Sequence, residues 1–182
     1  MKQTNLSKYD NSWYQPGGMI KKMLWYFVNV LFFINPLNPS SVLKKMFLKM
    51  FGAKIGSGVV IKPGVNIKYP WKLTIGNNTW IGENVWIDNL DQVTIGKNCC
   101  LSQGAMLLCG NHNFKKETFD LMIGRIVLED GTWIGARATL TPNTICQSHA
   151  VVTVQSVASG KLEKYSIYKG NPAIKVKDRI IE

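Results

Sequence analysis

Histidine is scarce in this chain, and its cysteines do not have the spacing of metal ligands. The 182 residues include two histidines, His112 and His149, and four cysteines, none of which forms a CxxC pair. A zinc site built from three histidines or from paired cysteines therefore has too few ligands here. Without a secretory context the thiols are expected to be reduced, as in the cytoplasm. We predict no metal cofactor and a cytoplasmic location.

Acidic residues and long apolar runs are also scarce. The chain has 11 Asp and Glu against 22 Lys and Arg, and residues 1–54 hold eight lysines but one acid, Asp10. The apolar stretch at 19–34 is shorter than the roughly 20 residues that a membrane-spanning helix needs. It also lacks the small-residue cleavage site of a secretory signal. Because the lysines gather on this hydrophobic leader without an RNA or DNA motif, no nucleic-acid partner is expected.

What the chain does contain is a six-residue repeat. An aliphatic residue, often followed by glycine, recurs from Ile55 to about Val154, as in Ile75-Gly76, Ile81-Gly82 and Ile95-Gly96. The residue four positions later is usually small or β-branched. A short period of this kind is typical of a β-helix, in which each coil buries its aliphatic side chains against the next coil. A β-sandwich of many short strands is the alternative, but it has no reason to keep a six-residue register.

The spacing also predicts the shape of each coil. Steps of six are interrupted by steps of eight, so that equivalent positions recur at Ile55, Ile75 and Ile95. This spacing indicates a three-sided coil with one enlarged corner. We predict a mainly β protein: a helical leader at 1–54, a parallel β-helix at 55–160 with an excursion loop at 108–127, and a C-terminal tail at 161–182.

Two interpretations of the leader remain open. It can form a helix that covers the exposed edge of the first coil, because an uncovered edge invites association with other strands. It can also lie on the inner face of a membrane, where its lysines would be attracted to anionic lipids. The two interpretations do not exclude each other.

The single break in the repeat is the first place to look for chemistry. After Leu107 the next in-phase aliphatic residue is Leu128, and the segment between them contains His112. Loops that project from a rigid scaffold often carry function. An imidazole can accept a proton from a hydroxyl at physiological pH. His112 is therefore the candidate general base, whereas His149 falls at a corner and is expected to be merely exposed.

Several motifs together give the chain a family resemblance. The hexapeptide coils, the looped-out His112 segment, the run Asp130–Ala136, the late run Gly170–Ala173 and the run Lys68–Thr74 resemble the hexapeptide-repeat acyltransferases. Within that family the likeness is to maltose and galactoside O-acetyltransferases and to acetyltransferases of exopolysaccharide pathways. The resemblance implies a left-handed β-helix and a homotrimer with active sites between subunits. It also implies acetyl transfer from acetyl-CoA to a sugar hydroxyl.

The resemblance also implies roles for individual residues. His112 is the general base, and the Ala136 amide is a donor to the oxyanion at the thioester carbon. The expected contacts to coenzyme A come from residues of the later coils and the tail: Trp133, Gly135, Ala136, Thr153, Val154, Asn171, Lys175 and Lys177.

The acceptor site is less well marked. Asp88 and Asn89, on the coil below His112, and Asn111, beside it, are the polar candidates for holding sugar hydroxyls. The corner positions of Asp88 and Asn89 equally suit a purely structural turn. Two other functions stay open: N-acetylation of an amino-sugar nucleotide by the same base, and a non-catalytic β-helix that binds or supports a partner.

Overall fold

The computed structural model describes residues 3–182, and its body is a three-sided left-handed parallel β-helix. The register is the one that the repeat predicts: Ile55 pairs with Ile75, which pairs with Ile95. The enlarged corner of the first coil is the short 3-10 helix Pro70–Lys72. The predicted fold class is therefore confirmed.

The strands, numbered in chain order, form three parallel faces. The first face consists of β1 (Lys54–Ile55), β4 (Leu73–Ile75), β7 (Val93–Ile95), β12 (Ile126–Leu128), β15 (Ile145–Cys146) and β18 (Lys161–Leu162). The second consists of β2 (Val60–Ile61), β5 (Trp80–Ile81), β8 (Cys100–Leu101), β13 (Trp133–Ile134), β16 (Val151–Val152), β19 (Ser166–Gly170) and β20 (Ala173–Asp178). The third consists of β3 (Asn66–Ile67), β6 (Trp86–Asp88), β9 (Met106–Leu108), β14 (Thr139–Leu140) and β17 (Val157–Ala158).

The repeat produces this fold because both of its characteristic positions point inward. The large aliphatic side chains from Ile61 to Val152 stack along the three faces and are buried. The small residues four positions later are buried as well: Val59, Val65, Thr79, Val85, Cys99, Ala105, Thr132, Ala138, Thr144 and Ala150. A narrow prism can reach the density of a protein interior only when large and small side chains alternate in this way.

The helical part of the leader covers the first coil. It contains a 3-10 helix Leu6–Lys8, helix α1 Met19–Val28 that continues as a π-helical segment Asn29–Ile34, and helix α2 Ser41–Met50. Trp25 and Leu48 are buried against the coil, and Trp25 Nε1 donates a hydrogen bond to the Ile67 carbonyl at 2.8 Å. Within residues 3–182, no helix is both long and apolar enough to span a bilayer.

Two segments differ from the expected outline. The excursion at 108–127 contains an antiparallel hairpin of β10 (Gly110–His112) and β11 (Leu121–Ile123), which the sequence did not predict. The parallel pairing also continues beyond residue 160, since Leu162 pairs with Cys146 and is buried. The reason is that Leu162 carries the aliphatic position of one further coil. The following strands β19 and β20 close the β-helix as an antiparallel pair.

Candidate active site

His112 lies at the end of β10, and its imidazole is held from two directions by one residue. Nδ1 lies 2.9 Å from the Phe119 carbonyl oxygen, and the two rings stack with centroids 4.4 Å apart and an interplanar angle of 7°. Phe119 has a backbone φ of 51°, a conformation that is uncommon for a residue other than glycine. The hairpin thus presents both the carbonyl and the ring of Phe119 to the histidine.

The hydrogen bond to a carbonyl determines which nitrogen can act as a base. A carbonyl oxygen only accepts, so Nδ1 must carry the proton that bridges the two groups. In the neutral imidazole, Nε2 then has the free lone pair. This arrangement leaves Nε2 able to take a proton from a bound hydroxyl.

The His112 cleft has a volume of about 480 Å³, and three tyrosines line it. The lining residues are Tyr9, Asn11, Tyr14, Pro16, Lys22, Lys68, Tyr69, Leu90, His112 and Leu121. The ring of Tyr9 lies 5.6 Å from that of His112. The leader therefore contributes one wall of the cleft, a contribution that no sequence motif indicated. Tyr69, in contrast, belongs to the Lys68–Thr74 motif.

The N-terminal end of the leader is attached to the tip of the hairpin. The Asn5 amide donates to the Glu117 carbonyl at 2.9 Å, and Lys8 forms an ion pair with the Glu117 carboxylate at 2.7 Å. Further along, the Tyr14 hydroxyl donates to the Leu90 carbonyl at 2.6 Å. Burial raises the pKa of Tyr14 above its ordinary value, so the hydroxyl stays protonated and keeps this bond. These contacts hold the leader beside His112.

The two predicted acceptor residues of the second coil have different environments. Asp88 is partly buried, and its Oδ1 forms an ion pair with Lys68 Nζ at 2.9 Å, without the geometry of a hydrogen bond. Asn89 is fully buried, and its amide both accepts from the Tyr69 amide (2.9 Å) and donates to the Tyr69 carbonyl (2.6 Å). Since the Asn89 side chain is committed to this corner, we assign it a structural role and remove it from the acceptor site.

Asn111 points away from the His112 cleft, because neighbouring residues of a strand face opposite sides. Its side-chain oxygen Oδ1 accepts a hydrogen bond from the His112 backbone amide at 2.8 Å. It lines a second cleft, of about 500 Å³, together with the predicted coenzyme residue Asn171. The structure thus brings together Asn111, a predicted acceptor residue, and Asn171, a predicted coenzyme residue.

Most of the other predicted coenzyme residues lie on or beside the second face. Trp133 is exposed and donates from Nε1 to Ser102 Oγ at 2.9 Å. Gly135 lies under the next coil, where a methyl group would come within 2.6 Å of the Val154 nitrogen. Its position therefore already has a packing explanation. The Ala136 carbonyl accepts from the Gln155 amide at 2.9 Å, whereas its own amide has no acceptor within residues 3–182.

The remaining coenzyme candidates lie towards the end of the β-helix. Thr153 Oγ1 lies 3.0 Å from Ser156 Oγ, and Val154 is exposed at a corner. Lys175 forms ion pairs with Asp178 and Glu163, each at 3.0 Å. The hydrogen bonds to these carboxylates raise the pKa of Lys175. Lys177 is exposed and has no carboxylate partner in the part of the chain that the structure describes.

Possible metal ligands do not cluster. Within residues 3–182, no group of three or more His, Cys, Asp or Glu side chains is arranged to hold a metal ion. All four cysteines are free thiols, and Cys99, Cys109 and Cys146 are buried.

Known proteins that are similar to this chain in sequence and in fold are acetyltransferases. No protein-family model matches the chain. The chain is 32% identical over 167 residues to WcaF of Escherichia coli (strain K12), a proposed colanic acid biosynthesis acetyltransferase, and the match covers 92% of both chains. The chain belongs to the hexapeptide-repeat acetyltransferases.

Solved structures show the same fold. A hexapeptide-repeat acetyltransferase from Vibrio cholerae O1 biovar eltor, complexed with acetyl coenzyme A, superposes with a TM-score of 0.80 at 17% identity, covering 89% of this chain and 88% of that one. A galactoside acetyltransferase in complex with coenzyme A gives a TM-score of 0.77 at 20% identity, covering 87% of this chain and 80% of that one.

Proposed function

We propose that this acetyltransferase moves the acetyl group of acetyl-CoA to a sugar hydroxyl of a surface polysaccharide or of its precursor. The observation that carries the proposal is the 2.9 Å contact between His112 Nδ1 and the Phe119 carbonyl, which leaves the lone pair of Nε2 free in a residue that lines the cleft. The polysaccharide part rests on the name of the E. coli relative, WcaF. The acetyl-CoA part is supported by the fold that the chain shares with coenzyme complexes.

In this mechanism His112 acts on the acceptor directly. Nε2 removes the hydroxyl proton while the hydroxyl oxygen bonds to the thioester carbonyl carbon. The carbon–sulfur bond then breaks, and the imidazolium returns the proton to the sulfur, so that free CoA leaves as a thiol. A positioned base contributes typically about 10² to 10⁴ in rate. The Ala136 amide, which has no acceptor within residues 3–182, is the proposed donor to the oxyanion.

The proposed coenzyme site runs along the second face towards the tail. Trp133 offers a flat wall to the pantetheine arm, and Gly135, Thr153 and Val154 lie at corners of neighbouring coils. For the phosphates we favour Lys177 over Lys175. Two carboxylates already compete for Lys175, whereas Lys177 is exposed without one within residues 3–182. Lysine binds phosphate as a point charge, and a nearby carboxylate weakens it.

We also infer that the enzyme is a homotrimer that works in the cytoplasm. Trp80, Trp86 and Trp133 are 60%, 40% and 46% exposed on the rigid faces of the β-helix. Large aromatic side chains are enriched in the cores of protein interfaces. Sedimentation equilibrium should give three times the mass of the 20.5 kDa chain. A monomer at micromolar concentration would remove this part of the proposal.

The test of the function begins with calorimetric titration of the protein with acetyl-CoA. Release of free CoA is then measured against sugars, oligosaccharides and amino-sugar nucleotides. Acetyl-CoA binding together with release that depends on a sugar hydroxyl supports the proposal. Release that depends on an amino sugar would instead show N-acetylation. Absence of binding at millimolar acetyl-CoA would favour a binding or structural protein.

A further inference from the structure

A second groove joins the His112 cleft. It has a volume of about 380 Å³ and lies between the leader and the third face of the β-helix. It shares Lys22, Lys68 and Tyr69 with the His112 cleft. Its lining is otherwise mostly apolar or aromatic: Trp25, Tyr26, Asn29, Val30, Ile34, Asn66, Ile67, Trp86 and Asp88. The two cavities therefore meet at a pair of lysines.

One ridge of the leader forms a long side of this groove. Lys22, Tyr26, Val30 and Ile34 recur every four residues, so they lie on the same face of the helical segment. At about 1.5 Å per residue this ridge is roughly 18 Å long. Its apolar members Tyr26, Val30 and Ile34 are 63%, 37% and 40% exposed. The ridge is thus an exposed apolar surface, and Lys22, at one of its ends, also lines the His112 cleft.

The charges at the junction favour an anion. Lys68 is partly neutralised by Asp88 at 2.9 Å, but Lys22 has no carboxylate partner within residues 3–182. On a larger scale, positions 11–82 contain nine lysines and no Asp or Glu. Phosphate groups favour such cationic positions. The junction is therefore suited to a phosphate or diphosphate that connects a sugar to an apolar chain.

We propose that the acceptor sugar is attached through a phosphate or diphosphate to a long hydrocarbon chain. The sugar lies in the His112 cleft, the phosphates lie between Lys22 and Lys68, and the chain follows the ridge from Tyr26 to Ile34. This inference rests on the proposed function, because it names the substrate class of the same site. Further apolar side chains on the leader are exposed as well, among them Leu24, Phe27 and Leu31. A chain longer than the groove would meet a compatible surface there.

The probe is farnesyl diphosphate, used below its micelle concentration and titrated by calorimetry. Inorganic diphosphate and farnesol carry the two halves of its chemistry separately. We expect farnesyl diphosphate to bind at least tenfold more tightly than either half. Equal binding of inorganic diphosphate would show that the hydrocarbon is not recognised, and would overturn the proposal. Absence of farnesyl diphosphate binding at 1 mM would overturn it too.

Matched variants distinguish the groove from general adsorption. V30D and K22Q alter the groove, whereas L31D and K21Q alter the adjacent residues, which do not line it. We expect the first pair to weaken farnesyl diphosphate binding at least tenfold and the second pair less than twofold. Equal weakening by all four would indicate adsorption to the leader surface and contradict the proposal. Circular dichroism melts check that each variant is folded.

Acetyl-CoA titration of the same samples distinguishes failure of the proposed function from failure of the lipid-linked acceptor. If acetyl-CoA binds and farnesyl diphosphate does not, the proposed function stands and the lipid-linked acceptor is wrong. If acetyl-CoA does not bind, the proposed function fails, and this inference fails with it. When a soluble acceptor is found, farnesyl diphosphate should compete with that acceptor and not with acetyl-CoA. Competition with acetyl-CoA alone would show that farnesyl diphosphate binds in the coenzyme site, and would overturn the proposal.

Discussion

The two histidines lie in regions that look similar locally and differ in what surrounds them. Each imidazole stacks on an aromatic ring, His112 on Phe119 at 4.4 Å and His149 on Tyr165 at 4.6 Å, with interplanar angles of 7° and 2°. The difference lies in the remaining edge of each ring. His112 faces a cleft that tyrosines and lysines line. His149 faces the backbone of the preceding coil.

The corner that contains His149 is partly buried, and it contacts the preceding coil and the tail. His149 has a φ of 61°, and its Nδ1 lies 3.0 Å from Ser148 Oγ. A methyl group on Gly131 would lie only 2.6 Å from its Nε2. Arg179 also donates to the Gly131 and His149 carbonyls, at 2.9 and 3.2 Å. Aromatic stacking therefore does not identify a catalytic histidine. What distinguishes His112 is a partner at Nδ1 that can only accept, the Phe119 carbonyl, together with the cleft that the residue lines.

The largest expected effect comes from replacing each histidine in turn. We expect H112A to lower kcat by about 10² to 10⁴, the usual contribution of a general base. We expect H149N to retain activity within about twofold, because asparagine tolerates the left-handed backbone of that corner. The measurement is steady-state release of CoA with the acceptor found in the panel. Near-normal turnover by H112A would contradict the role of His112 as the general base. A large loss of activity in H149N would contradict the claim that only His112 is needed for catalysis.

The packing difference predicts unequal responses to added methyl groups. G131A places a methyl group against His149 at a φ of 72°, whereas G104A carries a similar φ of 67° with only the flexible Arg137 side chain nearby, at 3.3 Å. The shared backbone strain is about 1–2 kcal/mol. Overpacking adds about 1–3 kcal/mol in G131A alone. At about 2–4 °C per kcal/mol, this additional loss of stability predicts a Tm for G131A about 2–12 °C below that of G104A.

The same thermal series includes a control near His112. In G110A the methyl group meets the end of the Leu90 side chain, which can move, so we expect a smaller loss than in G131A. Differential scanning calorimetry gives the three midpoints. Equal losses in G131A and G104A would mean that the His149 corner is not tightly packed.

The smallest effect concerns the buried thiols, of which Cys109 lies at the base of the hairpin. Burial raises the pKa of Cys109 to about 12 and that of Cys99 to about 11. At pH 8 both groups are protonated and therefore poor nucleophiles. We expect slow reaction with a disulfide reagent in the native protein and rapid reaction of all four thiols in guanidinium. C100S removes the half-buried Cys100 as background. Fast native labelling of Cys109 would show that the base of the hairpin opens readily.

The repeat was enough to predict the three-sided coils and their register, whereas the left-handed sense came from the family resemblance. Each six-residue step from Ile61 to Val152 carries its own burial pattern, so the register follows from the spacing alone, as the pairing of Ile75 with Ile95 shows. The break after Leu107 likewise pointed to His112, because a segment that leaves the repeat must project from it. The period of the sequence therefore predicts the register of the coils and the place where a segment leaves them.

Other parts of the site could not be predicted in this way. The contact of Lys8 with Glu117 spans 109 positions of sequence, and the approach of Tyr9 to His112 spans almost as many. Contacts of this kind, between distant parts of the chain, leave no repeating pattern in the sequence from which they could be predicted. The role of Asn89 could not be decided from the sequence, because an amide that fixes a corner and an amide that holds a sugar have the same sequence signature. Leu162 was left in the tail because it follows the inward position Ala158 by only four residues, a step that breaks the six-residue repeat.

The most direct test of the account is the tautomer of His112, read from imidazole ¹⁵N shifts in protein labelled at histidine. At a pH where the ring is neutral, hydrogen bonding to the Phe119 carbonyl predicts that Nδ1 carries the proton and that Nε2 is unprotonated. The H112A spectrum assigns the signals. A proton on Nε2 would contradict the account, because the nitrogen proposed to take the acceptor's proton could then not act as the base.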